Sequence, residues 1–82
     1  MLTGAQIRAA RAALGWSTNV LAEKAGVASK TISRFEEVNG VPPSRSSTLL
    51  EVKAALETGG VEFTGSPGNN PGVIIRTVDK FV

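Results

Sequence analysis

Apolar residues in the first half of the chain recur three and four apart with polar residues between them, the spacing of helices that bury one face. Thr3 and Gln6 form a capping-box pair flanked by Leu2 and Ile7 at staple positions, so a helix should begin near Gly4. Ile7, Ala10 and Leu14 make its inner stripe, and Gly15 stops it. Ser17 then caps a second short helix ending near Ala25, with Trp16 and Leu21 repeating the staple. Gly26 can take the left-handed conformation that turns the chain sharply, after which residues 27–37 read as a third helix with Ile32 and Phe35 inward.

Asn39-Gly40 and Pro42-Pro43 interrupt this pattern, and Ser44, Ser46 and Ser47 each offer a cap for a fourth helix. Leu49, Val52 and Leu56 are its buried stripe, and Gly59-Gly60 ends it. The period then changes. Val61-Glu62-Phe63 and residues 73–78 are β-prone, separated by the Gly/Pro/Asn-rich residues 65–72, which predicts a hairpin. Gly65, Gly68 and Gly72 match neither a dinucleotide fingerprint nor a P-loop and read as turn residues. The expected fold is therefore mainly α: a four- or five-helix bundle in residues 1–58, followed by a C-terminal β-hairpin or arm in residues 59–82 that is expected to serve dimerisation.

At 82 residues there is room for one hydrophobic core. The chain has no cysteine and no histidine, which removes disulfides, thiolate nucleophiles, the usual general base and the commonest metal ligand. Catalysis, a cofactor and a bound metal are not expected. No apolar run approaches the roughly 20 residues that span a bilayer, so no membrane role is expected. Residues 6–17 share the Ala/Arg-rich, acid-free composition of transit peptides, but they end at Gly15 and lead directly into another capped helix. The net charge of +2 is unevenly placed: residues 1–36 carry five Lys/Arg against two Glu (+3), and residues 37–82 carry four against five acids (−1). Such a basic half favours a polyanionic partner, although solvated helices are often basic as well.

Two short helices joined across Ala25-Gly26-Val27 make a helix-turn-helix. At about 100° per residue, Ser29, Lys30, Ser33 and Arg34 share one arc of the third helix, and Ala28, Thr31, Ile32 and Phe35 lie on the opposite one. A short polar arc with cations near its start suits insertion into a DNA major groove, where Arg or Lys reaches guanine O6 and N7 and Ser donates or accepts.

Three stretches, Gly15-Trp16-Ser17, Leu21-Ala22-Glu23-Lys24-Ala25-Gly26-Val27 and Thr31-Ile32-Ser33-Arg34-Phe35-Glu36, resemble the lambda-repressor-like, Xre-type helix-turn-helix family over roughly residues 2–56. The resemblance implies a small transcriptional regulator of bacterial or phage-like type, usually a repressor, that is cytoplasmic and nucleoid-associated and binds operator DNA as a homodimer. It implies base reading by Ser29, Lys30, Ser33 and Arg34, phosphate contacts by Ser17, Thr18, Thr31 and Arg45, and a salt bridge between Arg11 and Glu36. The chain departs from the family at two points: Thr18 stands where Gln is common, and Ala28 stands where Ser or Thr is common. Ala28 cannot cap, at a cost of about 1 kcal/mol to the helix that follows. The competing reading is a protein-interaction adaptor or antitoxin on the same bundle, with a protein partner held through the C-terminal arm. Val73, Ile74 and Ile75 form the apolar run that invites it.

Overall fold

A computed structural model describes residues 2–42, 46–66 and 69–75. Thr3 opens the first helix, α1 (Gly4–Leu14): its hydroxyl accepts from the Gln6 N–H while the Gln6 side chain accepts from the Thr3 N–H, so both halves of the capping box form. Gly15 closes α1 with paired bonds, its own N–H to the Ala12 carbonyl and that of Trp16 to the Arg11 carbonyl. Ser17 caps α2 (Thr18–Ala25) by accepting from the Val20 N–H at 3.1 Å. The turn into α3 (Ser29–Glu36) passes through Gly26 at φ 74°, a left-handed conformation that a Cβ would strain.

The third helix is shorter at both ends than residues 27–37: the Val27 N–H donates to the Ala22 carbonyl to finish α2, Ala28 is extended at φ −74°, ψ 145°, and Glu37 stands at the C-cap. Ala28 then stands at the N-cap with no side-chain bond. The last helix, α4 (Ser46–Thr58), begins among the candidate serines, but Ser44 and the rest of 43–45 fall outside the described residues.

Strands β1 (Val61–Ser66) and β2 (Asn69–Ile75) pair antiparallel from Val61↔Ile75 to Ser66↔Asn69, with the register slipping between Thr64 and Ser66. Both strands therefore continue into the 65–72 stretch expected to be a loop, and of the expected second strand only residues 73–75 are described. Pairing survives there because a bulge sets Asn70 and Pro71 of β2 opposite Gly65 of β1, and Pro71, which has no N–H, costs an edge strand little.

Four helices and a hairpin give the mainly α architecture that the hydrophobic pattern predicts. Ile7 and Ala10, Leu21 and Ala22, Ile32 and Phe35, then Leu49, Val52 and Leu56 form one core, which Val61 of β1 joins. Trp16 packs half-buried against it, with the Lys24 ammonium 5.1 Å from its ring centroid. Gln6 ties both strands of the hairpin to α1. It donates its amide to the carbonyls of Thr64 (3.3 Å) and Gly72 (2.9 Å), one on each strand, while its oxygen serves the cap of α1.

Candidate nucleic-acid interface

Burial of Ile32 and Phe35 fixes the rotation of α3, because a helix that places these two residues in the core must turn the opposite arc outward. Lys30, Ser33 and Arg34 are exposed and Ser29 is half-buried. Together with Glu37 these four line one shallow depression on the surface. Sequence reasoning brought the four together but missed the acid beside them. Glu37 lies one residue past the helix end, where it can accept from a base amino group or repel a phosphate.

The N-terminal end of α3 favours an anion. Its first turn holds Lys30 and no acid, and among the described residues no side chain caps its free N–H groups. That arrangement is costly for an isolated helix and suits one that meets phosphate. Ser17 is exposed, and while its oxygen accepts from Val20 its own O–H can still donate. Thr18 and Thr31 are half-buried on neighbouring helices, and α2 and α3 pack directly on one another. Arg45, the fourth phosphate candidate, lies outside the described residues.

Arg11 and Glu36 meet as the resemblance implies. The Arg11 Nε donates to Glu36 Oε2 at 2.7 Å and a terminal nitrogen to Oε1 at 3.0 Å, a two-point fork, while its other terminal nitrogen donates to the Trp16 carbonyl at 2.9 Å. The hydrogen bond to Glu36 raises the Arg11 pKa above its ordinary value, burial opposes the shift, and the Glu36 charge assists it. Arg11 thus joins α1, the start of α2 and the end of α3 at one cation. Arg8, one turn earlier, was not singled out from sequence. It donates to the Glu36 carbonyl and, at 2.9 Å, to Asn39 Oδ1.

Residues 3–63 match the family model described as a helix-turn-helix domain, which covers α1 to α4 and the first residues of β1. The comparison with curated proteins returns no match.

Proposed function

The chain belongs to the helix-turn-helix domain family, and on that premise we propose that it is a sequence-specific duplex-DNA-binding regulator of the lambda-repressor-like, Xre type, a bacterial or phage-like repressor working at the nucleoid in the bacterial cytoplasm. One observation carries the reading: Ser29, Lys30, Ser33 and Arg34 open onto a single depression on an eight-residue helix whose other face is buried in the core. In this reading Arg34 and Lys30 address guanine, Ser29 and Ser33 adapt to either partner, and Ser17, Thr18, Thr31 and Arg45 hold phosphates. Ala28 favours base reading by Ser29, because the uncapped start of α3 leaves that hydroxyl free of a capping bond.

Selection of bound sequences from a random duplex pool, followed by titration of the winner and of a random duplex across salt, tests the proposal. A defined site whose affinity falls steeply with salt is the expected result. Absence of duplex affinity at low salt overturns it.

A homodimer completes the proposal, since one recognition helix reads only a few base pairs. The second reading, a protein-binding adaptor or antitoxin, draws on Ile74 and Ile75, which stay 47% and 39% exposed on β2. Capture of a protein ligand by a chain that ignores duplex DNA would favour it.

A further inference from the structure

Gly4, Arg8 and Arg11 follow one another along α1 at i, i+4 and i+7, and all three hold the last turn of α3 or the residues just after it. The Gly4 N–H donates to the Gly40 carbonyl at 2.8 Å. A Cβ at Gly4 would stand 2.0 Å from the Val38 oxygen and 2.2 Å from the Phe35 oxygen, so only glycine permits this approach. Arg11 grips the Glu36 carboxylate. Arg8 grips the Glu36 carbonyl, the last of α3, and reaches on to Asn39. That carbonyl lacks an intrahelical partner and lies at the negative end of the helix dipole, where a cation is favoured.

By exposure alone Arg8 would pass for one more phosphate-binding cation. Its bonds give it a further task, since each terminal nitrogen of the guanidinium spends one of its two N–H groups on the end of α3 and the residues after it. We propose that Arg8 is a positioning residue for DNA reading: through the Glu36 carbonyl and Asn39 it straps the end of α3 to α1 and fixes the angle at which Ser29, Lys30, Ser33 and Arg34 meet the bases.

The lever arm makes the angle matter. Seven steps of about 1.5 Å put Ser29 about 10 Å from the anchored Glu36, so a tilt of about 10° moves Ser29 and Lys30 by about 2 Å, and Ser33 and Arg34, nearer the anchor, by less than about 1 Å. A hydrogen bond to a base edge spans only about 0.5 Å of tolerated distance.

This inference rests on the DNA-binding reading, and its test separates the two. Wild type, Arg8→Ala and Asn39→Ala are titrated against the selected site and a random duplex over a range of salt, after thermal unfolding shows each variant folded at the assay temperature. Asn39→Ala keeps every charge, so it stays informative if Arg8→Ala fails to fold. Both variants should lose about 5- to 10-fold in affinity for the selected site, a part of the discrimination of one bidentate base contact, with random-duplex affinity and salt slope unchanged. If Arg8→Ala weakens both duplexes alike and lowers the salt slope by about 0.9, Arg8 is a phosphate contact and the proposal is overturned. It is equally overturned if Asn39→Ala leaves selected-site affinity intact. A wild type that binds no duplex removes the DNA reading itself, and this proposal with it.

Discussion

Arg11 donates to both oxygens of Glu36 and to the Trp16 carbonyl, so its removal strands a carboxylate whose side chain is only 8% exposed. Arg11→Ala should destabilise the protein by about 3 kcal/mol, the low end for a broken buried pair because 21% of the Arg11 side chain remains in contact with water. Arg11→Lys recovers little, since an ammonium cannot form the fork. A double-mutant cycle with Glu36→Ala, followed by urea unfolding, measures the coupling, and additive losses would reject the pair as a unit. A pKa raised on folding contributes stability below the unfolded value and loses it only as pH climbs through the folded one. The guanidinium therefore adds no pH dependence near neutrality. At the proposed interface the residues divide by role: Arg34→Ala should lose about 1–3 kcal/mol on the selected site and relax one base pair, whereas Thr18→Ala should weaken all duplexes alike. Equal losses for Arg34→Ala on selected and random DNA would remove it from the base-reading set.

Among the elements, α1 and α2 are legible in the sequence because their signals are local: Thr3, Ser17, Gly15 and Gly26 each act within a few residues of themselves. The same locality explains the misses. Nothing near Arg8 indicates that its acceptors lie 28 and 31 residues on, and nothing in a Gly/Pro/Asn-rich stretch indicates that Gln6 will hold its carbonyls. The arc of Ser29, Lys30, Ser33 and Arg34 was readable since Ile32 and Phe35 fix it by period alone, and the same period puts Glu37, seven residues after Lys30, on that arc although the sequence reading omits it. The unbonded N-cap of α3 leads to a prediction at this scale. Ala28→Ser should stabilise the fold by about 1 kcal/mol, seen as a higher urea midpoint with an unchanged slope. No change in midpoint would mean that the hydroxyl finds water in preference to the helix.

For the whole molecule, the hairpin's inner face lies against its own helices through Val61, Phe63 and Val73, leaving Ile74 and Ile75 exposed on β2. If the protein pairs there, full-length Ile74→Lys should sediment as a monomer at micromolar concentration where wild type is a dimer, with the recognition helices of the wild-type dimer about 34–36 Å apart on an inverted-repeat site. A monomeric wild type that selects a non-palindromic site would sink the dimer. Gln6 has another consequence, concerning the order of events rather than the final contacts. Its two hairpin acceptors lie 58 and 66 residues away in sequence, so their bonds close some of the longest loops in the chain, and the chain entropy of that closure must be met before they contribute. Helix nucleation and the α2–α3 turn need no such closure and can precede it. Gln6→Glu, which keeps an oxygen for the Thr3 N–H but loses the amide donors to the hairpin, should therefore leave the refolding rate almost unchanged and accelerate unfolding, giving a φ-value near zero, whereas an early docking of the hairpin would slow refolding instead.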